Sequence, residues 1–535
     1  MPNSPQGARG AYIPSVPKGL VDRRGFLQAS AFGAAGVALG GALSSCGSSP
    51  APSAHPVGTP KAATKAQWAA YSASLKGHLV RPGERAYPVA RLLYNPRFDA
   101  LAPLAIAYCA GPEDVARSIA FARDHAFEIA VRSGGHSYGG YSSGSGHLVI
   151  DVTPIAGVVP ASAPGRTAVV GSGARLIDVY NVLGTHGQLV PGGSCPTVGI
   201  AGLTLGGGVG VFARRYGLAA DNLAAVTLVT ADAQVLRCSP EHDEALFWAC
   251  RGGGGGNFGV ATSFEFATHA LPPITLFTYD FAWSAAHDVL GEWQDWSRTV
   301  NEAVWSNCQL LSGAGTSLRV AGVSCAHSGQ TAAWLAPLLT RLPAPTYSFL
   351  GDETYVNEMM VESGCSGLTV AACHLDTTFP HGALSRQAFT ASSNYVSAPM
   401  GANRLSAAVT AVDRLAADLP GLGGGLVFDA LGGAVNAVSP TETAFVHRRY
   451  LASIQSSFNW TAATPMRTVA AGARWLEHVR ATVYDPSTGA YQNYIDPTLT
   501  NFAEAYYGEN LARLRAVKRA IDPDDVFRFA QSIRP

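Results

Sequence analysis

Four glycine-rich segments are the first candidates for chemistry in this sequence. They span residues 131–140, 191–199, 214–222 and 252–260. In the first, an apolar strand opens into Gly134 and Gly135, and the consecutive backbone N–H groups exposed there suit a pyrophosphate. A single segment of this kind is more often a surface turn, but four so close together are hard to explain as turns. The sequence therefore predicts a cradle of nucleotide size.

Several common cofactor motifs are absent from the sequence. There is no GxxxxGK[ST] segment, which excludes a P-loop enzyme. Residues 206–210 lack a clean GxGxxG after a strand with an acidic residue about 20 positions on, which disfavours a nicotinamide Rossmann domain. No CxxC pair and no HExxH helix occurs, so we expect no zinc site.

The elements that must position these segments follow an α+β pattern. Short alternating strands are predicted at 128–131, 147–151 and 225–229, with a helix between them at 112–125. From about residue 272 the composition shifts to Trp, Phe and long mixed segments such as 285–300, which indicates a second domain. Near the C-terminus Leu511, Leu514 and Val517 share a helix face, and Asp522-Pro523 ends it.

The bulk composition limits the class of protein. Apolar residues make up 47% of the 535 and charged residues only 14%, so the chain is globular, with two or three domains expected. Lys+Arg and Asp+Glu are both 37, which gives a nucleic-acid partner no support.

The first 46 residues resemble an export signal. Arg23 and Arg24 precede a mild apolar run at 29–43, rich in Ala and Gly, and Cys46 follows Leu43-Ser44-Ser45. This pattern is typical of a twin-arginine signal that ends in a lipoprotein box, with Cys46 lipidated. The alternative, a membrane-spanning helix, needs about 20 apolar residues. We expect an extracytoplasmic protein, attached to the membrane through a lipid at Cys46 only.

Six motifs in one order resemble the berberine-bridge-enzyme-like branch of the vanillyl-alcohol-oxidase (PCMH-type) FAD superfamily, from about Tyr87 to the C-terminus. They are RSGGH at 132–136, GSCPTVG at 193–199, RYGLAADN at 215–222, FWACRGGG at 247–254, YQNY at 491–494, and DPDDVF at 522–527 with QSI at 531–533. The resemblance implies a PCMH-type FAD-binding domain of two subdomains and an α+β substrate domain, an antiparallel sheet covered by helices. We place the signal at 1–46, a flexible tether at 47–80, the FAD-binding domain at 81–270 and the substrate domain at 271–485. A C-terminal segment, 486–535, returns to complete the FAD domain.

The resemblance implies an FAD attached covalently at two positions. His136 matches the histidine that bonds the flavin 8α-methyl, and Cys195 matches the cysteine that bonds its 6-position. Without the resemblance, His136 would be a turn histidine and Cys195 a small buried residue. The remaining cofactor contacts that we expect are Arg132, Ser133, Gly134, Gly135, Ser137, Tyr138, Gly139, Val198, Gly199, Gly202, Gly207, Gly208, Asn257, Gly259 and Val260. Many relatives have Gly-Gly-His where this chain has Gly202-Leu203-Thr204, so one wall near the flavin differs here.

Oxidation of an alcohol or hemiacetal needs a base near the substrate hydroxyl while hydride passes to the flavin. A tyrosine, with a pKa of about 10, serves only if neighbours stabilise its phenolate. The YQNY motif supplies Tyr491 as the expected base, Tyr494 as the alternate and Asn493 as an orienting hydrogen bonder. Tyr216 is a further candidate for polarising the base.

The resemblance favours an oxidase that uses O2, because Val198 occupies a position where valine accompanies oxidases in this family. The expected substrate is a small-molecule alcohol or sugar, an oligosaccharide or a secondary metabolite. Two alternatives remain, a dehydrogenase with a quinone or redox partner and a non-catalytic ligand-binding lipoprotein. Trp283, Trp293 and Trp296 fit either a substrate cleft or a core, and a Cys365–Cys373 pair is left open.

Overall fold

The computed structural model describes residues 61–535, which form an α+β structure of three main sheets. The predicted export signal and residues 47–60 of the predicted tether lie outside the described residues. Within residues 61–535, no helix is both long enough and apolar enough to cross a bilayer.

The N-terminal part, residues 61–270, contains a four-stranded and a five-stranded sheet. Its elements are α1 (Lys65–Ser74), β1 (His78–Val80), α2 (Tyr87–Ala90), β2 (Ala105–Tyr108), α3 (Pro112–His125), β3 (Ile129–Arg132), β4 (Leu148–Asp151), β5 (Val158–Val159), β6 (Thr167–Gly171), α4 (Leu176–Thr185), β7 (Gln188–Leu189), α5 (Ile200–Leu205), α6 (Ala213–Tyr216), β8 (Leu223–Val229), β9 (Val235–Cys238), α7 (Glu244–Cys250), β10 (Val260–Ala267) and β11 (His269–Ala270). The strand orders are β1-β2-β4-β3 and β5-β6-β10-β8-β9, and β7 pairs with β11.

Helix α3 shows how the first sheet is built from the sequence. Proline begins the helix, Glu113 and Asp114 lie in its first turn, and Arg123 and His125 lie in its last turn, which suits the helix dipole. Its apolar side chains pack on β2 and β4, and β3 and β4 both run parallel to their neighbours in the sheet. The predicted helix at 112–125 and the predicted strands of this region are confirmed, with shifts of one or two residues at the strand ends.

Part of the predicted tether is ordered structure. Helix α1 buries Trp68 and Tyr71 in the core beneath α3, and Tyr71 donates a hydrogen bond to Ser118 Oγ at 2.7 Å. Strand β1 then pairs with β2. Two buried aromatic rings are too few to signal a helix in a segment rich in Ala and Ser, which is why residues 61–80 read as linker in the sequence.

The second part carries a seven-stranded antiparallel sheet of order β15-β12-β14-β13-β17-β18-β16. Its elements are β12 (Ile274–Phe281), α8 (Ala286–Ser297), β13 (Val304–Ser312), β14 (Thr316–Ser324), α9 (Ser328–Leu339), β15 (Tyr347–Glu353), α10 (Tyr355–Glu362), β16 (Ala388–Val396), α11 (Ala402–Asp418), β17 (Gly423–Ala430), α12 (Ala434–Ala437), β18 (Ala452–Trp460) and α13 (Met466–Thr482). Helices α8, α9, α11 and α13 cover one face. Trp293 and Trp296 are buried in that core and Trp283 packs against it, so these tryptophans belong to the core.

The C-terminal segment packs against the N-terminal part. It contains α14 (Phe502–Tyr507) and α15 (Leu511–Ile521), and α15 packs on α7. Lys518 donates to the Asn257 carbonyl at 2.8 Å, and the Ile533 N–H donates to Asn257 Oδ1 at 2.9 Å. The last residues of the chain therefore hold the fourth glycine-rich segment in place.

One buried ion pair joins the two parts. Arg448, in the segment before β18, is fully buried and makes a two-pronged contact with Asp221, with N···O distances of 2.6 and 2.8 Å. Arg215 and Glu302 also pair between the same two parts, at 2.8 Å, but both side chains are about half exposed.

We expect Asp221→Asn to destabilise the protein by about 3–5 kcal/mol, because it leaves the buried guanidinium without its counter-charge. The control Glu302→Gln breaks a solvent-screened pair and should cost less than about 1 kcal/mol. Thermal unfolding of the two variants beside the unsubstituted protein measures the difference. Equal shifts of the unfolding midpoint in the two variants would contradict this ranking.

Candidate functional site

A long cavity lies between the N-terminal part, the seven-stranded sheet and the C-terminal segment. Its wall is shared by all three. The residues that line it include Tyr94, Ser133, Gly134, Gly135, His136, Ser137, Tyr138, Tyr141, Gly193, Ser194, Cys195, Val198, Gly199, Gly202, Leu203, Gly255, Gly256, Gly259, Glu362, Ser363, Phe389, Gln455, Ser457, Tyr491, Gln492, Asn493, Tyr494, Arg528 and Phe529. Three of the four glycine-rich segments thus contribute to one continuous surface.

Two of these glycine-rich loops touch backbone to backbone. A methyl group on Gly134 would collide with the backbone nitrogen of Gly199, and one on Gly199 would collide with Ser133. Gly202 behaves differently, since a methyl group there would meet no protein atom within 4 Å. The glycines therefore let the loops close on each other while leaving space inside the cavity.

A hydrogen bond joins the same two loops beside the predicted attachment residues. His136 Nε2 lies 2.9 Å from Thr197 Oγ1, and the His136 ring stacks on Tyr94 with ring centres 4.0 Å apart. Thr197 follows Cys195 by two residues, so the two predicted attachment residues lie on one wall. The hydrogen bond and the stacking fix the plane of the imidazole.

Two hydrogen bonds to backbone carbonyls hold the loop that carries Cys195. The Tyr180 hydroxyl, on α4, donates to the Gly193 carbonyl at 2.6 Å, and Ser363 Oγ donates to the Ser194 carbonyl at 2.9 Å. Ser363 comes directly after α10, so the second part of the chain helps to shape this loop. Cys365, two residues on, forms a disulfide with Cys373, which resolves the pairing that the sequence left open.

The two tyrosines of the YQNY motif have different surroundings. Tyr491 is 3% exposed, and its hydroxyl oxygen accepts hydrogen bonds from Gly208 N (3.1 Å), Val209 N (3.2 Å) and Asn493 Nδ2 (2.9 Å). Tyr494 is half-buried and lies nearly parallel to the Tyr138 ring, with ring centres 5.4 Å apart. Both line the cavity, and the Tyr491 oxygen is held by three protein donors.

One further lining side chain and one buried side chain lie near these tyrosines. Gln455 Nε2, from β18, donates to the Tyr138 hydroxyl at 2.8 Å, so the sheet orients a side chain of the first glycine-rich loop. Behind Tyr491, burial lowers the pKa of His447 to about 3, and this imidazole is neutral at ordinary pH. His447 therefore brings no positive charge to the tyrosines.

Some residues predicted from the sequence do not line the cavity. These are Arg132, Gly139, Gly207, Gly208, Asn257, Val260 and Tyr216. Arg132 is buried in an ion pair with Asp151, and Asn257 and Gly208 support neighbouring residues through the contacts described above. Tyr216 packs on His269 with ring centres 4.4 Å apart, and burial raises the pKa of its hydroxyl, so the structure does not bring it to the predicted base.

The sequence also missed four lining or supporting groups. Thr197 lies inside the GSCPTVG motif, two residues after Cys195, and this position was the available signal in the sequence. Tyr94, Gln455 and Glu362 lie outside every motif, on a loop, a strand and a helix whose approach to the cavity depends on the tertiary fold.

The residues present fit an FAD. Two closely apposed glycine-rich loops offer backbone N–H groups for a pyrophosphate, open space lies over Gly202, and a histidine and a cysteine share the wall. Within residues 61–535 no group of three or more His, Cys, Asp or Glu side chains could hold a metal ion.

Comparison with known proteins identifies the family. Residues 103–239 match the FAD binding domain family, and residues 490–534 match the family described as berberine and berberine like. The chain is 31% identical over 469 residues to the FAD-linked oxidoreductase YvdP of Bacillus subtilis, covering 87% of this chain and 99% of that protein. It is 30% identical over 470 residues to a chitooligosaccharide oxidase of Gibberella zeae, and the match covers 83% of this chain and 89% of that protein. The solved structure of Physcomitrella patens BBE-like 1 superposes with a TM-score of 0.78 at 30% identity. This superposition covers 87% of this chain and 98% of that structure.

The fold and the cavity are those of a PCMH-type flavoenzyme. The chain belongs to the berberine-bridge-enzyme-like family of FAD-linked oxidoreductases, as its sequence motifs predicted.

Gly134→Ala should lower the FAD content of the purified protein, because its methyl group meets backbone that cannot move without opening the loop contact. Overpacking of this kind costs about 1–3 kcal/mol, which corresponds to roughly 5-fold to 150-fold weaker binding. Gly157→Ala is the control, since nothing lies within 4 Å of a methyl group there. The flavin-to-protein absorbance ratio checks this, and full flavin occupancy in Gly134→Ala would refute it.

Proposed function

We propose that this protein is an oxidase that carries one FAD bound covalently through both His136 and Cys195. Its substrate is an alcohol or the hemiacetal carbon of a sugar or oligosaccharide, and dioxygen accepts the electrons to give hydrogen peroxide. The observation that carries this proposal is the position of His136 and Cys195 on one cavity wall, on two loops joined by the contact of His136 with Thr197.

The chain's own residues have distinct tasks in this proposal. The glycine-rich loops hold the pyrophosphate, and the two covalent bonds hold the ring. When bound, FAD supplies a two-electron acceptor for the hydride. The family resemblance supports attachment at these two residues, and the fixed plane of the His136 imidazole agrees with it.

Tyr494 is the base in this proposal, rather than Tyr491, which the sequence favoured. A base must reach the substrate hydroxyl within hydrogen-bonding distance. The Tyr491 oxygen already accepts three N–H groups, so a substrate hydroxyl would have to displace one of them. Tyr494 is less buried and lies against Tyr138, whose hydroxyl Gln455 orients. In this proposal the phenolate oxygen of Tyr494 takes the proton from the substrate hydroxyl.

A carbohydrate is the favoured substrate class. The Gibberella zeae relative is named for its action on chitooligosaccharides. The substrate end of the cavity combines aromatic faces, Tyr94, Tyr138 and Phe389, with the polar side chains of Gln455 and Ser457. Such a mixture suits the apolar faces and hydroxyl edges of a sugar ring.

Dioxygen as acceptor rests on Val198, which lines the cavity three residues after Cys195. Export by the twin-arginine route, with a lipid at Cys46, is also part of the proposal, because that route carries proteins already folded around their cofactor. Residues 1–46 lie outside the described part of the chain.

Peroxide release tests the proposed function. The purified protein is mixed in air-saturated buffer with a panel of monosaccharides, oligosaccharides and polyphenolic alcohols. Stoichiometric peroxide with at least one sugar supports the proposal. Flavin that a substrate reduces but that stays reduced for minutes in air would favour the dehydrogenase instead.

Tyr494→Phe should slow flavin reduction by substrate by roughly 10²- to 10⁴-fold, since it removes the base while the ring remains. Tyr491→Phe is the matched variant, and we expect less than about a 10-fold loss of rate together with a destabilisation of about 1–3 kcal/mol from unpaired N–H groups. Stopped-flow absorbance and thermal unfolding measure the two effects. The reverse pattern of rates would restore Tyr491 as the base.

A further inference from the structure

Helix α10 ends in an acidic residue, Glu362, next to the serine that holds the loop of the predicted flavin cysteine. Ser363 Oγ donates to the Ser194 carbonyl at 2.9 Å. Glu362 directly precedes Ser363, Cys195 directly follows Ser194, and both side chains line the cavity. A carboxyl group and a thiol therefore share one stretch of wall, although they come from different parts of the chain.

The position of this helix is fixed at both ends. Thr354 caps its start by accepting a hydrogen bond from the Asn357 N–H, and the Cys365–Cys373 disulfide follows its last residue closely. Met360 packs with both disulfide cysteines and with Ile177 of α4. Glu362 is therefore held at the cavity by rigid contacts.

Glu362 has an acidic neighbour one turn earlier on the same helix. Glu358 is fully buried, and neither of its carboxyl oxygens has a hydrogen-bond partner among the described residues. Burial, and then the charge of Glu362, raise the pKa of Glu358 well above its usual value. Burial therefore favours the protonated, neutral form of Glu358.

The cavity offers few other charged groups. Among the described lining residues, the charged side chains are Glu362 and Arg528, and Arg528 pairs with Glu128 at 2.9 Å. Glu362 is therefore the carboxylate of this wall. A cysteine thiol, with an ordinary pKa of about 8.5, is mostly protonated at neutral pH, whereas its thiolate is the nucleophile.

We propose that Glu362 is the general base that takes the proton from Cys195 Sγ when the thioether to the flavin forms. This inference rests on the proposed attachment at Cys195. The Cys195 S–H bond and the C–H bond at the ring's 6-position break, and one S–C bond forms. Glu362 receives the thiol proton and releases it to solvent, and the ring hydrogen also leaves as a proton. The two electrons released pass to dioxygen, which becomes hydrogen peroxide with two protons.

A time course of flavin attachment tests the proposal. The full-length chain, produced in riboflavin-starved cells, is mixed with FAD in air-saturated buffer. Mass spectrometry then follows flavin on the peptide with Cys195 and on the peptide with His136. In Glu362→Gln we expect thioether formation at Cys195 to slow by roughly 10²- to 10³-fold, while attachment at His136 stays within about 3-fold. Glu362→Asp should recover part of the lost rate.

Glu358→Gln is the matched control, because it changes a neutral carboxyl to an amide of similar shape on the same helix. It should form the thioether at the unsubstituted rate. An unchanged rate at Cys195 in Glu362→Gln would overturn this inference and leave the proposed function standing. Equal losses at Cys195 and His136 would also overturn it, since a base for one thiol has no effect on the imidazole. Absence of thioether from the unsubstituted protein would overturn both proposals.

Discussion

The contact between two glycine-rich loops, residues 131–140 and 191–199, is the constraint on which the site depends. Gly134 and Gly199 approach so closely that neither position has room for a side chain, and a hydrogen bond between His136 and Thr197 also joins the loops. The first loop follows β3 of the four-stranded sheet, and the second follows β7, which pairs with β11. Their meeting therefore sets both the width of the cofactor cradle and the separation of His136 from Cys195.

The other face of the cavity comes from the rest of the chain. Gln455 on β18 orients Tyr138, Ser363 after α10 holds the Cys195 loop, and the C-terminal residues fix the fourth glycine-rich segment through Asn257. Each of these contacts joins an element of the second part or of the C-terminus to a cofactor loop. The N-terminal part thus supplies the glycine-rich loops, and the second part and the C-terminal segment fix their positions.

The glycine-rich loops could be predicted from the sequence because the residues that shape each loop are neighbours in the chain. The segment Arg-Ser-Gly-Gly-His contains both the glycines that set the backbone conformation and the histidine. Short motifs of this kind are therefore enough to predict the family and the fold. Gln455 and Glu362 could not be predicted in this way, since a strand and a helix reach the cavity only through tertiary packing. The contacts of Tyr491 also needed the structure, because two of the N–H groups that donate to its oxygen belong to Gly208 and Val209, far from it in the sequence.

Mass spectrometry of peptides from the acid-precipitated, unsubstituted protein tests the central claim most directly. The account predicts that the pellet stays yellow and that one FAD mass links the peptide with His136 to the peptide with Cys195. Release of all flavin into the acid supernatant, with both peptides unmodified, would contradict it.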